Sequence, residues 1–200
     1  MKEPVQKERI LEAARKRFAH FGSAKTTLTE IADDLSLSKQ ALHHYFPDKQ
    51  SIIRAVTTQL LEQYMEALEA ALAQSSSVFA ALMALVDVRN RFGRPNHLFF
   101  AQLESDGQWF NRDARAMLLG MARRERRLLE GRLAQGIASG ELRLEDPRAT
   151  ARIVLETLTA IGRTARNCPP DETLFETRER QQRELVTLIY NGLGKETWKH

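Results

Sequence analysis

The stretch Ser38-Lys39-Gln40-Ala41-Leu42-His43-His44-Tyr45-Phe46-Pro47-Asp48-Lys49 decides the reading of this chain. Serine is a favoured helix N-cap, and proline pushes the residue before it out of the helical region, so the spacing predicts a helix of about two turns between Ser38 and Pro47. At about 100° per residue, Leu42, Tyr45 and Phe46 share one arc, while Lys39, Gln40, His43 and His44 share another. No acidic residue lies between Leu35 and Pro47. One face of the helix is apolar, and the other carries amine, amide and imidazole groups with nothing beside them to repel a polyanion.

Working upstream, Thr27-Leu28-Thr29-Glu30 has the Thr-x-x-Glu form of a capping box and predicts a short helix from Leu28 to about Leu35. A turn through Ser36 and Leu37 follows. Before it, a helix from about Val5 to Phe21 sets Leu11, Ala14, Phe18 and Phe21 on one face and ends at Gly22. Two short helices joined by a tight turn, the second turning polar groups outward, make a helix-turn-helix. Its groups suit a DNA groove: Gln40 can bind adenine through two hydrogen bonds, Lys39 can donate to guanine, and Ala41 can sit beside a thymine methyl. His44 completes the outward arc. His43, Tyr45 and Lys49 are suitable phosphate partners, and the helix start at Thr26, Thr27 and Leu28 offers backbone N–H groups.

These residues resemble the DNA-binding segment of the TetR (tetracycline-repressor) family: a threonine-led helix with Ile-Ala, a turn, then Ser-Lys-x-x-Leu-Tyr-x-Tyr-Phe-x-x-Lys. The matching positions are Thr27, Ile31, Ala32, Ser38, Lys39, Leu42, Tyr45, Phe46 and Lys49, and Ile10–Gly22 resembles the family's first helix. The likeness covers about the first 55 residues. Three positions depart from it: Ser36 stands at the usual turn glycine, Gln40 at a common glycine, and His43 at the phosphate-binding tyrosine.

Downstream the periodicity stays helical and no stretch alternates with period two, so the expected class is all-α with about nine helices. Asp48 can cap a long helix to about Gln74, with Ile53, Val56, Leu60, Tyr64 and Leu68 as its stripe. The pattern restarts at Val78 and runs to about Arg91. Gly93-Arg94-Pro95-Asn96-His97 reads as a turn before a short helix to Glu104. Ser105–Gln108 breaks the pattern again. Further helices are expected from about Asn111 to Ile137, stopped by Ser139-Gly140; from Asp146-Pro147 to about Asn167; and from Asp171 to about Tyr190.

Composition bounds the function. The 200-residue chain is 42% hydrophobic with a net charge of +4, which permits a nucleic-acid partner without demanding one. The first fifty residues hold nine Lys/Arg against seven Asp/Glu, so a basic footprint depends on placement. No apolar run approaches the roughly 18 residues of a membrane span, and Met1–Arg9 is not followed by a signal-peptide core, so no membrane association and a cytoplasmic location are expected. The single cysteine, Cys168, excludes an internal disulfide. No Walker loop, His-Glu-x-x-His or Gly-x-Ser-x-Gly occurs, and no enzyme activity or cofactor is expected. His43 and His44 diverge by about 100° with no acid or cysteine nearby, so no metal is expected either. Arg123–Arg127 reads as the solvated side of a helix whose other side is Met121, Leu128 and Leu129.

Tyr64, Met65, Phe79, Met83, Val86, Phe99, Phe100, Leu103, Trp109, Phe110, Met117 and Met121 are apolar residues at helical spacing, the ordinary material of a core. They also suit an apolar pocket between helices, and the family resemblance implies a small-molecule effector there. Ile153, Val154, Leu158 and Ile161, with Leu185, Leu188, Ile189 and Leu193, form seams on the last two helices. They either finish the monomer or, as the resemblance implies, form a homodimer interface that spaces two heads on double-stranded operator DNA. Residues 1–50 are thus expected to form the DNA-binding domain and residues 51–200 a helical bundle for ligand and dimer. The alternative is a helical interaction or ligand-binding module without DNA-binding activity.

Overall fold

A computed structural model describes residues 3–108, 112–163 and 172–193. Among these there are eight α-helices and no strand: α1 (Glu3–Phe21), α2 (Leu28–Asp34), α3 (Lys39–Tyr45), α4 (Lys49–Gln74), α5 (Val78–Ser105), α6 (Arg112–Ala138), α7 (Pro147–Arg163) and α8 (Glu172–Leu193). Among the described residues no helix is long and apolar enough to cross a membrane.

Local chemistry sets most of the ends. Thr27 and Glu30 close the capping box of α2, Ser38 Oγ accepts from the Ala41 N–H at 3.1 Å, and Asp48 Oδ1 accepts from the Ser51 N–H at 2.6 Å. Asp146 Oδ1 takes the N–H groups of Arg148 and Ala149, each at 2.9 Å. Helix α6 ends in a Schellman turn, with Glu141 N–H bonded to Gly136 O at 2.8 Å and Gly140 at φ 73°. Helix α2 ends in the same turn, with Leu37 N–H on Ala32 O at 2.9 Å, but Ser36 holds the left-handed position at φ 53°. A side chain there costs about 1–2 kcal/mol.

One expected break is absent. Gly93-Arg94-Pro95-Asn96-His97 is not a turn: α5 runs through it with Pro95 inside, which brings the count to eight rather than about nine. Proline removes an intrahelical hydrogen bond and crowds the preceding turn. Pro95 is exposed, however, so water can reach the carbonyl it leaves unbonded, and buried Val86 and Val88 before it and Phe99 and Leu103 after it hold the helix on both sides.

The contacts gather the chain into two compact units. The first comprises the residues up to Gln63 with Pro95–Leu119, and the second Tyr64–Arg94 with Gly120 onward. In the first, α1 packs on α2 and α2 on α3, and Ile10, Ala14, Phe18, Ile31, Leu42 and Ile52 are fully buried. Phe21, expected on that face, is 52% exposed at the helix end, where the Arg17 guanidinium lies 5.7 Å from its ring. Arg17 also ties α1 to α2 through both oxygens of Asp34.

The second unit has a core drawn from five helices, including Leu68, Leu82, Leu85, Leu129, Leu133, Val154, Leu158 and Val186. Helices α5 and α6 approach so closely that a Cβ at Gly136 would stand 2.4 Å from Val78 Cγ2. Inside this unit Glu125 is 5% exposed, and its carboxylate accepts from the Tyr64 hydroxyl and, at 2.9 Å, from Arg89 Nη1. Arg89 Nη2 donates to Thr159 Oγ1 at 2.7 Å. Burial, reinforced by the Glu125 carboxylate, pushes the Tyr64 phenol well above its ordinary value. The solvated reading of Arg123–Arg127 therefore holds for exposed Arg123 and Arg127 but not for Glu125. That residue recurs at four-residue spacing with Met121, Leu129 and Leu133, and so belongs to the inward stripe.

Candidate nucleic-acid interface

Helix α3 is built as an amphipathic wedge. Leu42 is fully buried and Phe46 is 4% exposed, while Lys39, Gln40, His43 and His44 are exposed. Ala41 and Tyr45 are half-buried, and the Tyr45 ring stands edge-on to His44 with centroids 5.6 Å apart. His43 Nδ1 lies 3.1 Å from the Pro47 carbonyl oxygen. That oxygen can only accept, so Nδ1 carries the proton and Nε2 is left for the outer face. The four groups expected to meet base edges or phosphates share one open surface, and no carboxylate belongs to α3.

The other positions are placed differently. Thr27 is exposed, but its N–H and hydroxyl both donate to Glu30 Oε2, at 2.7 and 2.8 Å, while its Oγ1 accepts from Glu30 N–H at 3.3 Å. The capping box thus consumes the Thr27 N–H, one of the three backbone groups expected to be offered to a phosphate. Thr26 is placed inward: it is 1% exposed, and its hydroxyl donates to Gly22 O at 2.8 Å, closing the end of α1. Lys49 is turned toward the protein as well. Its ammonium donates to the carbonyls of Ser23 at 2.7 Å, Thr26 at 3.0 Å and Ala24 at 3.4 Å, so the motif lysine ties down the α1–α2 turn instead of joining the outward surface. A long flexible cation goes to nearby carbonyls that lack backbone partners, and the turn between α1 and α2 supplies them.

The residues expected around an effector are distributed over both units. Phe99, Phe100, Leu103 and Met117 belong to the first unit, where Phe99 and Leu103 are buried. Tyr64, Met65, Phe79, Met83, Val86 and Met121 belong to the second unit, where they pack in or against its core. Trp109 and Phe110 lie outside the described residues. A small cavity of about 30 Å³ in the first unit is lined by Ile53, Thr57, Leu103 and Met117, with the Arg54–Asp113 ion pair, 3.4 Å, among its lining residues.

The expected dimer seam divides by burial. Val154 and Leu158 have no more than 1% of their surface exposed in the chain and so have nothing to present to a partner. Ile153 and Leu188 are 54% and 71% exposed, and Ile161, Leu185 and Ile189 are half-buried. The Leu193 side chain lies outside the described residues.

An all-helical chain whose second and third helices form a capped helix-turn-helix with an acid-free outer face is a DNA-binding regulator of the helix-turn-helix class. The family model for bacterial regulatory proteins of the tetR family matches residues 10–56. Over that segment the chain is similar to the TetR family. It is 26% identical over 160 residues to the transcriptional regulator YhgD of Bacillus subtilis, covering 78% of this chain and 82% of that protein. To the regulator BetI of Agrobacterium fabrum it is 31% identical over 86 residues, less than half of either chain at 43% and 42%. Among solved structures, the TetR family regulator PfmR of Thermus thermophilus matches with a TM-score of 0.70 at 28% identity, over 94% of this chain and all of that one. A transcriptional regulator from Cytophaga hutchinsonii gives a TM-score of 0.81 at 22% identity, over 94% and 98%.

Proposed function

We propose that this transcriptional regulator is a ligand-responsive repressor, which binds a palindromic double-stranded operator as a homodimer and is released by a small, largely apolar effector. Residues 1–50 read the DNA, and residues 51–200 carry the effector and dimer functions. The observation that supports DNA reading is the α3 surface: Lys39, Gln40, His43 and His44 exposed together above buried Leu42 and Phe46. Two such heads must meet successive grooves roughly 34 Å apart or a multiple of it. Apolar surface on Ile153 and Leu188, flanked by Ile161, Leu185 and Ile189, favours α7 and α8 as the place where two copies join.

The cavity beside Ile53, Leu103 and Met117 favours an effector site there. At about 30 Å³ it has room for little more than a water, so a larger ligand must part α4 from the end of α5 and the start of α6. Helix α4 begins four residues after the last residue of α3, so moving it re-aims the reading helix, and a ligand that fits only the parted state shifts the population away from DNA. Duplexes selected from a random pool, measured by fluorescence anisotropy, test the reading. Gln40→Ala should cost about 1–3 kcal/mol and relax one base position; equal losses on selected and random DNA would remove that assignment. Sedimentation at micromolar concentration tests the dimer, and a thermal-shift screen of apolar and cationic compounds tests the effector.

A further inference from the structure

The turn between α1 and α2 is clamped by opposite charges from two distant parts of the chain. Its carbonyls, those of Ser23, Ala24 and Thr26, accept from the Lys49 ammonium. Its donors go the other way: the Ser23 hydroxyl and the Ala24 N–H both bind Asp106 Oδ2, at 2.6 and 3.0 Å. Asp106 directly follows α5, more than eighty positions along the sequence. Its own N–H is bonded to Gln102 O at 2.8 Å, and Gly107 beyond it takes the left-handed backbone at φ 72°, so the carboxylate is held by a finished helix end. The seat is close: a Cβ on Gly22 would stand 3.1 Å from Gln102 Oε1 and 3.4 Å from Asp106 Oδ2. Ser23 is fully buried. Burial alone would push the Asp106 carboxyl up, but the hydrogen bonds from Ser23 and Ala24 and the Lys49 charge outweigh it and hold the group below its ordinary value.

We propose that Asp106 is a positioning residue for DNA reading, which fixes the Ser23–Thr26 turn and through it the start of α2 and the stance of α3. The chain from this turn leads directly into the Thr27 cap, and α2 packs on α3, so a loosened turn lets the reading helix wander without altering any group that meets DNA. The reading apparatus therefore includes a residue far outside the segment the family model matches, residues 10–56. The clamp also gives displacement of the α5 end a short route to the reading helix, through the hydrogen bonds to Ser23 and Ala24 and the packing of α2 on α3. This inference rests on α3 being the DNA-reading helix.

The test uses the full chain and two duplexes, one selected from a random pool by the wild-type protein and one of random sequence. Asp106→Ala should lower the ratio of selected to random affinity about tenfold. Asp106→Asn, which keeps an acceptor for Ser23 and Ala24, should recover most of that ratio, and Glu8→Ala, at an exposed acid elsewhere in the first unit, should leave it unchanged. Should Asp106→Ala fail to fold, Ser23→Ala removes the same hydrogen bond with the loss of one atom and should lower the ratio in the same direction. Hydrogen exchange at the amides of residues 24–30 should speed up in the variants more than at those of α7. A variant that melts earlier yet keeps the wild-type ratio and exchange pattern overturns the proposal by reducing Asp106 to ordinary stabilisation. A wild-type chain that enriches no sequence overturns the DNA-reading premise itself.

Discussion

Replacing Lys49 by methionine separates two roles that the sequence motif alone does not distinguish. Methionine keeps most of the stem and removes the ammonium, so the carbonyls of Ser23 and Thr26, now bonded at 2.7 and 3.0 Å, lose their donor, and Asp106 loses a nearby positive charge. Hydrogen bonds to a charged group contribute about 1.5–3 kcal/mol each. The contact to Ala24 at 3.4 Å is long, and Lys49 is only half-buried, so solvent competes for its partners. A net loss of about 2–3 kcal/mol is the consistent expectation, which for a domain of this size lowers the melting temperature by roughly 4–12 °C. The effect on DNA is distinct. A lysine that neutralises a phosphate contributes about 0.9 to the slope of log K against log salt, whereas one engaged with the α1–α2 turn contributes nothing. Thermal unfolding, with anisotropy titrations of a selected duplex between about 50 and 200 mM salt, reads both quantities on one preparation. The structure predicts a lower melting temperature with an unchanged slope. An unchanged melting temperature with a slope reduced by about one would refute it and restore the phosphate role that the motif implies.

Ser36→Gly should raise stability by about 1 kcal/mol, because glycine holds the left-handed position of the α2 Schellman turn without the side-chain penalty; a melting temperature that stays or falls would contradict this. Gly136→Ala should destabilise by about 1–3 kcal/mol through the clash with Val78 Cγ2, and Val78→Ala in the same chain should return part of that loss in a double-mutant cycle. Asp106 has a folded-state pKa below its ordinary 3.8, so its contribution is fully present above that value and is lost as the pH falls through the lower, folded one. Urea midpoints of wild type and Asp106→Asn should accordingly differ most above about pH 5 and converge towards pH 3; a gap that widens on acidification would show the sign to be wrong.

The sequence by itself determined what depends on neighbours a few residues away. The Thr27–Glu30 box, the Ser38, Asp48 and Asp146 caps, the glycine ends at Gly22 and Gly140, and the serine held left-handed at Ser36 all follow from hydrogen bonds spanning two to five positions. The outward arc of α3 is equally local, since the helical repeat alone parts Lys39, Gln40, His43 and His44 from Leu42 and Phe46. Tertiary structure decided whatever depends on partners far along the chain. Burial on both sides carries α5 through Pro95 against its local preference, and places Val154 and Leu158 inside while leaving Ile153 and Leu188 outside. It also turns Glu125 inward to Tyr64 and Arg89. Lys49 and Asp106 are the clearest case: their charges are visible in the sequence, but the carbonyls and donors that claim them come from a turn 23 to 83 positions away. Helix periodicity and caps are short-range properties of the backbone, whereas the partner of a long charged side chain is set by which distant elements packing brings within its reach.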